Sequence, residues 1–148
     1  MAKHIIRIAI EVLCLALLLG TVIFLIVFWK NIPDSVPNHF NSAGQIDSYA
    51  PKKTLILLPA MMPVLYAVLS LNNTMRFRSL GKEVLVPMPP LLFPMMKLAL
   101  LAGFSYMTVC SALGRPLGAW YLPVFLTLIL GPLVVCSLIA WPKTKERL

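Results

Sequence analysis

The chain has 148 residues, enough for one domain, and 59% of them are apolar while only 12% are charged. A soluble domain usually carries about twice that charged fraction, so a water-dissolved globular fold is excluded first. The formal charge of +8 invites a nucleic-acid reading. The basic residues, however, flank apolar blocks, and no polar surface remains on which to build a nucleic-acid groove. Orientation in a bilayer and attraction to anionic headgroups fit the charges better.

Residues 8–29 form the first apolar block, with Glu11 as its single charge. About 20 apolar helical residues cross a bilayer core, and in lipid a helix satisfies its own backbone hydrogen bonds. A transmembrane helix is therefore expected here. The block is longer than the apolar core of a signal peptide, and no small-x-small cleavage site follows it. Glu11 is expected about one turn inside this helix. A charge at that depth needs a partner or water. Three readings compete: an i,i+4 pair with Arg7, a pair with Lys97 across the bundle, and a proton-handling role.

Next comes the one sizeable polar stretch, "IPDSVPNHFNSAGQIDSYAPKK", residues 32–53. Pro33 and Pro37 fix the backbone and end the first helix. "NSAG", residues 41–44, has turn chemistry, because Asn and Ser bond their own backbone and Gly44 tolerates positive φ. His39, Phe40, Ile46 and Tyr49 are spread regularly among the turn residues, unlike a disordered tether. A compact loop over residues 30–53 is expected. Asp47 and Ser48 can cap a short helix or strand, and Pro51 announces the next helix.

Residues 54–71 form a second apolar block with Pro59 and Pro63, each expected to remove a backbone hydrogen bond and kink the helix. The stretch "NNTMRFRSLGKEVLVPMPP", residues 72–90, should lay its basic part on the inner leaflet. Pro87, Pro89 and Pro90 should delay the third helix, residues 91–113, whose only charge is Lys97. "GRPLG", residues 114–118, is a tight turn. The fourth block, residues 120–141, carries Pro123 and the Gly131–Pro132 pair. The prolines of the second and fourth blocks suit either ordinary membrane helices or broken helices lining a cavity. No internal repeat is present.

The predicted fold is all-α: a single membrane domain, residues 1–148, built as a bundle of four transmembrane helices. Residues 8–71 form the first helical hairpin, with one ordered extracytoplasmic loop, and residues 91–141 form the second. With both termini inside, eight Lys and Arg lie in the cytoplasmic segments and four in the outer ones. The positive-inside rule then places both termini in the cytoplasm and residues 30–53 outside. Trp29, Trp120 and Tyr121 fall at the outer interface, and Trp141 at the inner one. Cys14, Cys110 and Cys136 all lie in apolar blocks, so they read as small packed hydrophobes rather than disulfide or metal partners.

Candidate chemistry concentrates on His39. With Asp34 and Asp47 nearby it could hold a metal only with unusually few nitrogen ligands, so no metal and no other cofactor is expected. A nucleophilic triad would need Ser35, Ser42 or Ser48 placed by tertiary geometry. No nucleophile elbow or phosphate loop is present. The plainer expectation is that Asn38 and His39 hydrogen-bond the loop onto the helix ends while Phe40 anchors it in the interface. No enzyme activity is expected.

One further signal is carried by Pro33, Val36-Pro37, Asn38, His39-Phe40-Asn41, Gly44, Asp47 and Lys52 or Lys53. Following one apolar helix and preceding another, this pattern resembles domain-of-unknown-function family 1648, which includes the SdpI-type immunity proteins of Gram-positive bacteria. Asn38 stands where the family usually has Thr. The resemblance covers roughly residues 10–70. It implies a bacterial multipass protein of the cell membrane with this loop outside, and for some relatives protection against a secreted membrane-active peptide. The expected function is binding or immunity, with the lipid bilayer and a secreted hydrophobic peptide or another membrane protein as partners. A small transporter or transporter subunit, supported by Glu11, Lys97 and the helix prolines, is the alternative. A membrane enzyme acting through the outer loop is a third reading.

Overall fold

The structure is a computed structural model and describes residues 2–71 and 91–145. The elements in chain order are α1 (Ala2–Phe28), β1 (Ser35–Phe40), β2 (Ile46–Pro51), α2 (Leu57–Leu71), α3 (Leu92–Ala112) and α4 (Tyr121–Lys145). The basic stretch and the Pro87, Pro89 and Pro90 cluster of residues 72–90 lie outside the described residues, as do the side chains of Cys136 and Trp141.

Among the described residues, three helical stretches are long and apolar enough to cross a membrane: His4–Asn31, Lys52–Leu71 and Leu92–Ala112. Their outer faces suit lipid. Ile8, Val12, Leu15, Leu19, Ile23 and Ile26 are exposed along α1, a stripe no soluble surface would carry. The polar residues point inward instead: Thr21, Lys97, Ser105, Thr108 and Ser111 are all buried. Polar groups inside and apolar groups outside mark a membrane protein. A two-stranded sheet caps one end of the helices.

That sheet corrects the all-α expectation. β1 and β2 pair antiparallel, from Ser35 opposite Pro51 to Phe40 opposite Ile46. The helices also differ in their ends. α1 begins at Ala2, because Ala2–Arg7 holds no Pro or Gly to stop it. Glu11 therefore lies more than two turns inside α1, deeper than expected. Residues Lys52–Ile56 form a 3₁₀ turn, so α2 begins at Leu57 rather than at residue 54. Pro59 has no N–H to give the Leu55 carbonyl, so an α-turn cannot close there.

α3 is the centre of the bundle and packs against α1, α2 and α4. Two apolar clusters flank a polar joint. At one end Ile10, Cys14, Met62 and Leu101 pack together; at the other Leu25, Ile32, Val36, Leu55 and Ala112 do. Between them the Thr21 hydroxyl donates to its own helix's Leu17 carbonyl and shares a second hydrogen bond with the Ser105 hydroxyl, both at 2.7 Å. α4 approaches α3 at Gly103, where a Cβ would lie 2.2 Å from the Phe125 ring. Tyr121 closes that contact: its hydroxyl donates to the Gly103 carbonyl at 3.0 Å and its ring stacks on Phe125.

α3 ends in a glycine cap. Gly114 takes φ +64°, its N–H donates to the Ser111 carbonyl, and the Arg115 N–H donates to that of Cys110, a Schellman-type arrangement that satisfies the last carbonyls. The chain then turns through Leu117 and Gly118 into α4. Trp29, Trp120 and Tyr121 all sit at this sheet-capped end, with Trp120 79% exposed, as an aromatic belt requires.

Candidate functional site

The sheet is built from residues with weak strand propensity, and its register is irregular as a result. Pro37 faces Tyr49, His39 faces Ser48 and Phe40 faces Ile46. Asn38 on one strand and Asp47 on the other are thus left out of the pairing, two small bulges on opposite strands. Bulges re-aim side chains, and here they turn His39 toward Asp47. Nδ1 of His39 meets Oδ1 of Asp47 at 2.5 Å, with the two side chains 69% and 42% exposed.

This corrects one expectation. His39 does not tie the loop to the helix ends; it bonds across the hairpin and faces outward. The docking is done by other groups. Val36 is buried among Leu25, Ile32, Leu55 and Ala112, and Pro37 is fully buried beside it. Phe40 is half-buried.

At the tip, Asn41 organises the turn. Its side-chain oxygen accepts from the Ala43 and Gln45 N–H groups, both at 3.0 Å, and its carbonyl accepts from Gly44 N–H at 2.9 Å. Gly44 takes φ +71°, the left-handed conformation that Gly alone adopts without strain. It is also buried against the α3–α4 turn. Its carbonyl accepts from the Leu117 N–H at 2.9 Å, and a Cβ on it would lie 2.3 Å from the Gly118 carbonyl oxygen. The two connections at this end are therefore locked together, backbone against backbone.

The base of the hairpin is closed by Lys52. Its N–H donates to the Asp34 carbonyl at 2.8 Å and its ammonium meets the Asp34 carboxylate at 2.9 Å. Pro33 precedes this pair at the end of the 3₁₀ turn Trp29–Asn31. The hydrogen bond and charge of Lys52 hold the Asp34 carboxyl below its usual range. A carboxylate with a depressed folded-state pKa contributes stability that is present above its unfolded pKa and is lost as pH falls through the folded one. Protection of the Lys52 amide, relative to its intrinsic exchange rate, is therefore expected to fall below about pH 4, and high salt should weaken the pair at neutral pH. A protection factor independent of both would rule this latch out.

The second constellation lies toward the opposite end of the helices. Lys97, 2% exposed, donates through Nζ to both carboxylate oxygens of Glu11 at 2.6 and 2.7 Å and to Ser70 Oγ at 3.0 Å. Tyr66 donates its hydroxyl to Glu11 Oε2 at 2.9 Å, and the Lys97 ammonium sits 4.3 Å from the Tyr66 ring centroid. Of the two pairings open to Glu11, the structure shows the one across the bundle. Helices α1, α2 and α3 each supply part of a saturated polar knot, which uses all three donors of the ammonium. Tyr66 and Ser70 escaped the sequence reading. Their signal was present as two polar residues at i,i+4 spacing in an apolar block, which puts them on one helix face.

Among the described residues no group of three or more His, Cys, Asp or Glu could hold a metal ion. Cys14 and Cys110 are buried free thiols. Ser35, Ser42 and Ser48 share the hairpin with His39, and none of them hydrogen-bonds its ring. The chemistry that the hairpin offers is hydrogen bonding, a polarised imidazole and an exposed aromatic, Tyr49, at 61% exposure.

Residues 16–62 match the model of a family described as "Domain of unknown function (DUF1648)". The match runs from the middle of α1 through the whole hairpin into α2, so it covers His39, Gly44 and Asp47 and leaves out Glu11 and Lys97. No curated protein matches the chain, and no solved structure does.

Proposed function

From a chain whose residues 16–62 carry that domain, we propose a multipass bacterial cell-membrane protein that binds a secreted hydrophobic peptide and so protects its cell. α4 is the fourth span: its 25 residues reach about 37 Å at 1.5 Å each, enough to cross the hydrocarbon core. Both termini are cytoplasmic and the hairpin faces out, in keeping with eight Lys and Arg on one side and four on the other.

One observation carries the binding role. The hairpin is fixed to the bundle at its base, its middle and its tip, yet it presents His39, Asp47 and Tyr49 outward. A rigid, exposed aromatic beside a polar pair has little ordering entropy to lose on binding, and aromatic anchors carry much of the energy at recognition surfaces. Glu11 and Lys97 are structural in this reading, because their hydrogen-bonding capacity is spent on each other, Tyr66 and Ser70.

Cells expressing the protein should survive challenge by a panel of membrane-active peptides better than cells lacking it. A variant carrying His39→Ala and Tyr49→Ala should lose that protection while accumulating normally, since an exposed polar pair contributes at most about 1 kcal/mol. Deleting residues 37–44 should abolish protection altogether. Survival unchanged by the deletion would sink the reading.

A further inference from the structure

Directly under the hairpin, α1 and α2 stand apart. α1 packs mainly on α3 and touches α2 far less. The cause lies on α2, whose facing residues Pro59, Ala60 and Pro63 carry no long side chains. The result is a groove of about 630 Å³, open toward the lipid side, lined also by Val22, Ile26 and Trp29. Leu25 and Pro59, both buried, belong to its wall. The lining is almost wholly apolar, and the volume lies in the range of sites for small ligands.

Its mouth is basic. Lys52 holds its ammonium 5.8 Å from the Trp29 ring centroid. Lys30 follows Trp29 in the 3₁₀ turn Trp29–Asn31. Lys53 lies three residues before Ile56, which lines the groove; in the 3₁₀ turn Lys52–Ile56 residues three apart eclipse one another, so Lys53 shares that residue's face of the turn. Lys30 and Lys53 are exposed. Against these three lysines stands one acid, Asp34, which is paired with Lys52, leaving a net charge of two positive units at the mouth.

An apolar trough ending at a pair of uncommitted positive charges, at the depth of the Trp29 belt, has the charge and polarity pattern of a phospholipid. We propose that this groove is a binding site for an anionic phospholipid of the leaflet on the hairpin side, with an acyl chain between α1 and α2 and the headgroup phosphate at Lys30 and Lys53. Uncharged lipid would fill the trough but leave the lysines unanswered. The inference goes beyond the peptide-binding role and requires only that these helices lie in a bilayer.

Native mass spectrometry of the full chain in detergent tests it, with phosphatidylglycerol and phosphatidylcholine of identical chains added in turn and no peptide present. Phosphatidylglycerol should be retained more strongly, by about fivefold for each lysine engaged. Lys30→Gln with Lys53→Gln should remove that preference and leave phosphatidylcholine retention unchanged. Ala60→Phe, which fills the trough from a lipid-exposed position, should lower retention of both lipids. Equal retention of the two lipids by the unaltered protein overturns the proposal, as does undiminished retention by the Ala60→Phe variant.

Discussion

Lys97→Met is expected to lower the unfolding free energy in detergent by roughly 3 kcal/mol. Removing one partner of a buried pair leaves the other charge uncompensated, which typically costs about 3–5 kcal/mol. The lower end applies because the Glu11 side chain keeps 29% exposure. Tyr66 alone cannot answer a carboxylate that has lost its bidentate ammonium. The double variant Glu11→Gln with Lys97→Met should recover most of the loss, because the amide can still accept from Tyr66 and no buried charge remains. Thermal or denaturant unfolding of the unaltered protein, Lys97→Met, Glu11→Gln and the double variant completes the cycle. Equal destabilisation of the single and the double variant would show that the charge pair is not the cause.

Gly44→Ala is expected to be nearly as damaging, for a steric reason. A non-glycine residue in the left-handed region costs about 1–2 kcal/mol, and Gly44 sits at φ +71°. The added Cβ would also meet the Gly118 carbonyl oxygen at 2.3 Å, a backbone atom that cannot swing aside. The hairpin tip must lift off the α3–α4 turn and lose the Leu117 N–H bond to the Gly44 carbonyl. Gly118→Ala separates the two effects. Gly118 also has a positive φ, but no atom lies within 4 Å of its would-be Cβ, so only the conformational cost remains. Limited proteolysis of the hairpin and the melting temperature should both rank Gly44→Ala as the worse change. If the two glycine variants behave alike, tip and turn are not in contact.

What the sequence made legible follows from which constraints are local. Lipid demands a minimum length of uninterrupted apolar helix, and that demand is written in consecutive residues; the helices of α1, α2 and α3 could be read directly. The turn at residues 41–44 was legible for the same reason, since Asn41 bonds its own backbone two and four residues on. The strands were not. Ser35–Phe40 contains Pro37 and Asn38, and Ile46–Pro51 contains Asp47 and Ser48, residues that strands usually avoid. Their extended form is imposed by the burial of Val36 and Pro37 against the helices. The partner of His39 depends on two bulges whose register no local rule specifies. Glu11 had a partner at i,i+4 in Arg7 that satisfied every local rule, and the choice of Lys97 was made by how α1 and α3 pack.

The contact between Gly44 and Gly118 joins residues 74 positions apart, as 118 minus 44 gives. During synthesis the hairpin, which ends at Pro51, emerges well before the backbone on which its tip rests. Until the second pair of helices is in place, Gly44 has no seat, its carbonyl lacks the Leu117 donor, and the hairpin is held only at its base and middle. The finished hairpin surface thus reports on the last step of assembly. A chain cut short after α2 would display the same residues, but without the posture that the α3–α4 turn fixes.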